Sequence, residues 1–134
     1  MFICDISIFN RFGKNELDVE LSRFDLDWRD LVVILIFDRV SGISQTRLTP
    51  FLQTDKANVT KLLKALEKKE LIYRKPDPKD QRNKVCFLTQ TGEELAPKLY
   101  EIMTQWENQC FQGLTKQERA EFNRLSEKVT ANLL

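Results

Sequence analysis

The sequence predicts a mainly α-helical fold with one small β-hairpin, on three observations. Apolar residues recur every three or four positions through most of the 134 residues. Two short apolar segments, LIYRK and KVCFL, flank the polar octet PDPKDQRN, the pattern of a hairpin with a long tip. Ser, Thr and Asp stand where the periodic segments begin, as helix caps do. The length is enough for one core, and 31% charged with 42% apolar residues fits a globular chain rather than a disordered one.

The elements follow in order. Ile6, Phe9, Gly13, Leu17, Leu21 and Phe24 predict one long amphipathic helix, weakened at Gly13. Asp25 or Asp27 caps a second helix, with Trp28, Leu31, Val32, Leu35, Ile36 and Val40 on its apolar face and Gly42 as its stop. Ser44 caps a third, carrying Leu48, Phe51 and Leu52; Pro50 inside it predicts that it is short or distorted. Thr54 or Asp55 caps a fourth, running to about Lys69. Leu71–Lys75 and Lys84–Leu88 are the hairpin strands. Thr91 with Glu94 predicts a capping box, opening a helix with Leu95, Leu99, Ile102, Met103, Trp106 and Cys110, bent at Pro97 and ended by Gly113. Thr115 with Glu118 predicts a second capping box, before Phe122, Leu125, Val129 and Leu133. Two adjacent helices followed by a hairpin make a helix-turn-helix with a wing.

Charge is unevenly spread. Residues 44–84 hold eleven Lys/Arg against five Asp/Glu, while the segments on either side are mildly acidic, so the net charge is only +1. A basic centre points to an anionic partner. The longest apolar run, LVVILIF (31–37), is far short of the roughly 20 residues of a membrane span. The first ten residues lack a basic region and include Asp5, so no secretory signal is expected. Three scattered cysteines, Cys4, Cys86 and Cys110, fit a reducing cytoplasm rather than a disulfide framework. The chain has no histidine, no G-x-S-x-G elbow, no P-loop and no Rossmann glycine pattern, so no metal, no cofactor and no enzymatic activity are expected.

At 100° per residue, Val59, Leu62, Leu63 and Leu66 share one face of the fourth helix. Ala57, Lys61, Lys64 and Lys68 lie opposite, with Asn58 and Thr60 on the flanks. Such a face suits the major groove of double-stranded DNA: lysines neutralise phosphates, Asn and Thr bond base edges, and Ala57 permits close approach. The N-terminal half of a recognition helix usually reads, which singles out Lys56, Ala57, Asn58, Thr60, Lys61 and Lys64. A lysine-rich outer face is, alone, usually only a solvated face. The second basic element, Arg74, Lys75, Lys79, Arg82 and Lys84 on the adjoining hairpin, shifts the balance, because a narrow basic loop fits the minor groove.

The stretches DKANVTKLLKALEKKELIYRK, DPKDQR and VCFLTQTG resemble the recognition helix, Asp-x-x-Asp-x-Arg wing and Leu-Thr-x-x-Gly helix start of the MarR family of bacterial transcription factors. The resemblance extends over the flanking helices too. It implies a winged helix-turn-helix lobe (25–90) with dimerisation helices at 1–24 and 91–134, forming a homodimer on a palindromic operator, most often as a repressor. It implies that Lys79 and Arg82 act at the minor groove, that Asp55 pairs with and orients Arg82, and that Ser44, Gln45 and Arg47 touch phosphates. Glu70 stands where the family usually has Gly, so a turn built differently is expected there.

Many members of this family release DNA when a small aromatic or lipophilic effector binds. Phe9, Phe12, Phe24, Trp28, Phe37, Tyr100 and Trp106 offer such a pocket, or they fill the core and dimer interface, as aromatics at helical spacing more often do. Some members sense peroxides through a cysteine near the place of Cys4, which gives a thiol-based sensor as one alternative. A winged-helix protein-interaction module is the other.

Overall fold

Asp27 opens the helix that anchors the core. Its carboxylate accepts from the backbone N–H groups of Arg29 and Asp30, and Asp30 returns a bond to the Asp27 N–H. This reciprocal cap satisfies donors that a helix start leaves without partners. The computed structural model describes residues 1–134. Its order is α1 (Phe2–Phe12), α2 (Asn15–Leu21), α3 (Trp28–Arg39), β1 (Ile43–Ser44), α4 (Thr49–Leu52), α5 (Lys56–Lys68), β2 (Ile72–Pro76), β3 (Lys84–Leu88), α6 (Gln90–Cys110) and α7 (Lys116–Ala131). Short 3₁₀ turns occupy Ser22–Phe24 and Gln45–Leu48. No helix is long and apolar enough to cross a membrane.

The core gathers Leu17 and Leu21 of α2, Val33, Ile34 and Phe37 of α3, Leu48 and Leu52 around α4, Val59, Leu63 and Leu66 of α5, Cys86 of β3, and Ala96, Leu99 and Ile102 of α6. The sheet runs β1–β3–β2, antiparallel throughout, with Ile72 opposite Leu88 and Pro76 opposite Lys84. The mainly helical fold with a small hairpin wing is as expected from sequence, as are the Asp27 and Thr115 caps.

Several local expectations are corrected. The first long helix is two, α1 and α2, divided at Gly13–Lys14. The Gly13 carbonyl accepts the Trp106 indole N–H at 2.6 Å, a tertiary contact that helical spacing does not reveal. Ser44 stands at the N-cap of the Gln45–Leu48 turn but makes no side-chain cap bond, and it belongs to β1, whose Ile43 and Ser44 pair with Cys86 and Val85. Two residues carry no periodicity, so this strand was invisible in sequence. The helix around Pro50 is short, as expected, with the proline in its first turn, where its missing N–H costs little. α6 is capped by Thr89 rather than Thr91 and continues through Pro97.

Thr89 and Gly92 also explain the Leu-Thr-x-x-Gly stretch. The Thr89 hydroxyl accepts from the Gly92 N–H at 3.1 Å, and a Cβ at Gly92 would stand 2.2 Å from the Leu71 carbonyl oxygen. Only glycine lets α6 start this close to the hairpin. Elsewhere apolar surface is left open. α1 and α7 contain no buried residue, and Phe2, Ile3, Ile6, Phe9, Phe12, Phe122, Leu125 and Val129 are all exposed.

Candidate nucleic-acid interface

The helix α5 is set by both ends. Asp55 caps it, accepting the Asn58 N–H at 2.8 Å. At the other end the Leu71 N–H bonds the Leu66 carbonyl (3.1 Å) and the Glu70 N–H bonds that of Glu67 (2.9 Å). This is the six-to-one and five-to-two pairing of a Schellman cap, with Leu71 and Leu66 both buried beneath it. Glu70 takes the left-handed position at φ 59°, so the turn that usually needs glycine is formed here by glutamate under strain, not built differently.

Between these ends Val59, Leu63 and Leu66 are buried, and Lys56, Ala57, Asn58, Lys61, Lys64 and Lys68 are exposed. None of these four lysines enters an ion pair with the chain's own carboxylates. Lys69, at the far end, does, binding Asp25 through its carboxylate (3.3 Å) and backbone carbonyl. The free cations thus lie on the face predicted to read DNA. The Asn58 amide nitrogen sits 3.4 Å from the Asp55 carboxylate, so the amide oxygen is the group left to accept a further bond.

The wing tip is ordered by its two aspartates. Asp77 accepts the Lys79 N–H (2.9 Å), and Asp80 accepts the Arg82 N–H (3.1 Å) and the Asn83 side-chain amide (3.4 Å). These are Asx turns, in which a short carboxylate replaces the backbone acceptor. Asp80 also binds the Arg82 guanidinium at 3.2 Å, leaving that side chain 92% exposed. The expected Asp55–Arg82 pair is therefore not formed: Asp55 is engaged with its own helix, and Arg82 with its own loop. Lys79 is exposed and unpaired.

A polar network that the sequence did not reveal runs along the flank of α5. Arg74, counted above among the wing's cations, has only 5% of its side chain exposed. It grips Glu67 of α5 and donates to Gln45 Oε1 at 3.0 Å. Gln45 Nε2 donates to Thr60 Oγ1 at 2.7 Å, and Thr60 donates to the Lys56 carbonyl at 3.0 Å. Gln45 and Thr60, predicted to touch phosphate and base separately, are joined to each other. The Arg74 hydrogen bond holds the Glu67 carboxyl below its ordinary value, and the same bond raises Arg74. Burial pushes the nearby Cys86 thiol up to about 11, which makes it a packing residue. Ser44 shares a hydrogen bond with Thr46 (2.9 Å), and Arg47 is exposed beside them.

The predicted aromatics divide. Phe37 is core, and Phe24, Trp28, Tyr100 and Trp106 pack against it. Phe9 and Trp106, with Ile6, Phe111 and Phe122, line a cleft of about 680 Å³ between α1, α6 and α7, whose polar lining includes Lys14 and Gln53. Lys14 bonds Gln53 at 2.8 Å and lies 3.7 Å above the Trp28 ring, joining the α1–α2 break to the residues before α5. Burial and the Arg29 charge lower its pKa. Cys4 and Cys110 are exposed free thiols.

Residues 26–84, from before α3 to the first residue of β3, match the MarR family model. The chain is 30% identical over 82 residues to the HTH-type transcriptional regulator SarZ of Staphylococcus aureus (strain USA300), covering 61% of this chain and 55% of SarZ. It thus spans about half the length of the curated relatives it matches. Among solved structures it resembles MarR, with 27% identity and a TM-score of 0.84 over 96% of this chain and 87% of that one. The S. aureus MepR–DNA complex has the same fold, at 24% identity and a TM-score of 0.83 over 98% of each chain. Residues 26–84, a winged helix-turn-helix, thus match the MarR family model, and the chain shares the fold of MarR over 96% of its length.

Proposed function

We propose that this protein is a homodimeric transcriptional regulator, not an enzyme, that binds a palindromic operator and acts as a repressor. The observation that carries the DNA reading is the exposed, unpaired set Lys56, Lys61 and Lys64 on the outer face of α5, beside a wing whose Lys79 and Arg82 project to solvent. α5 would enter the major groove, with Ala57 and Asn58 at base edges, while the wing follows the adjoining minor groove. Arg47 and the start of α4 would meet phosphate. Dimerisation is supported by the apolar faces of α1 and α7, which leave Phe2, Ile3, Phe12, Leu125 and Val129 exposed. Two copies would then present α5 twice, about 34–36 Å apart for successive major grooves on one side of the duplex. The cleft holding Phe9 and Trp106 supports release by an aromatic or lipophilic effector.

The test is fluorescence anisotropy of labelled duplex DNA over a salt series. Binding should weaken steeply with salt, because phosphate contacts release counterions. Lys61→Ala and Lys64→Ala should each lower the salt slope by about one and weaken binding without loss of helix content. Wild-type affinity in Lys61→Ala, Lys64→Ala and Arg82→Ala alike would refute the groove assignment. Salt-insensitive binding to a protein instead would favour an interaction module.

A further inference from the structure

We propose that Thr60 faces DNA as a hydrogen-bond acceptor only, and that Arg74 is the positioning residue that imposes this polarity; the proposal rests on the DNA-binding reading above. The argument starts from what each group can do. A guanidinium carries only donors. Arg74 directs Nε and Nη2 to Glu67 at 2.7 and 2.8 Å, and Nη1 to the side chain of Gln45 at 3.0 Å.

The atom of Gln45 that meets Arg74 must therefore be its amide oxygen, since the reverse orientation would set N–H against N–H. Gln45 Nε2 then turns to α5 and donates to Thr60 Oγ1. The single hydroxyl hydrogen of Thr60 must point elsewhere, and the Lys56 carbonyl at 3.0 Å takes it. What Thr60 retains is one oxygen lone pair.

Each link is directional, and the direction originates at Arg74, which is nearly buried and so out of reach of DNA. A free threonine accepts or donates as the base requires, and so discriminates poorly. Thr60 in this setting can meet only a donor. In the major groove the donors are the amino groups of adenine and cytosine, whereas guanine and thymine present acceptors. Thr60 should therefore favour adenine or cytosine over guanine or thymine on the strand it contacts. Glu67 completes the device by holding two of the guanidinium's three nitrogens, which leaves the third aimed at Gln45.

The experiment selects duplexes from a randomised double-stranded DNA pool with the full chain, and compares wild type with Thr60→Val, Thr60→Ser and Arg74→Lys. Wild type should show one position per half-site at which adenine or cytosine is preferred. Thr60→Val, which keeps the shape and loses the oxygen, should reduce that preference about fivefold or more. Thr60→Ser should retain it. Arg74→Lys, which keeps the charge and its attraction to Glu67 but loses the third nitrogen aimed at Gln45, should relax the same position and no other, with an unchanged salt slope. Should Arg74→Lys fail to fold by circular dichroism, the two Thr60 variants decide the matter. Unaltered base ranking in Thr60→Val, or a uniform loss of affinity for every duplex, would overturn the proposal. So would wild-type binding that selects no sequence, which leaves DNA binding itself intact. Absence of any duplex binding would instead remove the DNA-binding reading and this inference with it.

Discussion

Arg74 of β2 and Glu67 of α5 face each other as a two-pronged ion pair, Nε to Oε1 at 2.7 Å and Nη2 to Oε2 at 2.8 Å. The pair fastens the first wing strand to the back of the helix whose front carries the free lysines. Helix and wing are thereby tied together, as the proposed two-groove contact requires.

Breaking this pair should cost stability in a pH-dependent way. Arg74→Ala leaves Glu67 without its partner and empties a nearly buried site. We expect a loss of about 1–3 kcal/mol, less than for a fully buried pair because Glu67 is 32% exposed. Glu67 has its carboxyl lowered from 4.5 by Arg74, so its contribution is fully present above about pH 4.5 and is lost as pH falls through the lowered value. Urea denaturation of wild type and Glu67→Gln should show a stability gap at pH 7 that closes on acidification. A gap that widens there would contradict the assignment.

Glu70→Gly should stabilise the protein. Glu70 is held at φ 59° by the Schellman cap, a conformation that costs a side-chain-bearing residue about 1–2 kcal/mol. The greater freedom of an unfolded glycine offsets part of the gain. A net rise of about 1 kcal/mol, or about 3–5 °C in Tm, is expected by calorimetry. No rise would mean that Glu70 makes a compensating contact.

Gly92→Ala should do the opposite. The new methyl would stand 2.2 Å from the Leu71 carbonyl oxygen, which itself accepts the Thr89 N–H at 3.1 Å. Both the clash partner and its neighbour are backbone, so relief requires moving α6 from the hairpin. A loss of about 3 kcal/mol is expected in denaturant unfolding, at the upper end for overpacking. A loss under about 0.5 kcal/mol would show that the junction yields.

The apolar face of α7 should hold two copies together. Leu125 and Val129 are 46% and 40% exposed in the single chain, so charging them leaves the core untouched. Each such side chain contributes about 1.5–3 kcal/mol when fully buried. Leu125→Asp with Val129→Asp should weaken self-association at least about 100-fold in sedimentation experiments, with unchanged helix content. Deleting residues 115–134 should abolish the dimer. A wild-type chain that sediments as a monomer would defeat the dimer reading outright.

Sequence alone determined what depends on neighbours along the chain. The buried stripe Val59, Leu63 and Leu66 follows from a period of 3.6, and with it the outward lysines; the Asp27 and Thr115 caps follow from short polar side chains placed before apolar runs. The hairpin followed from two apolar segments around a polar one. Tertiary structure decided whatever depends on residues far apart in sequence. The break at Gly13 is held by Trp106, 93 positions away, whose indole N–H bonds the Gly13 carbonyl, and β1 exists only because β3 passes beside it. Arg74 counted as one more wing cation until folding set it against Glu67 and Gln45. A charge count locates the basic region, but it cannot separate a lysine that water surrounds from an arginine whose charge the fold has already neutralised. That separation is made by burial and pairing, which exist only once distant segments meet.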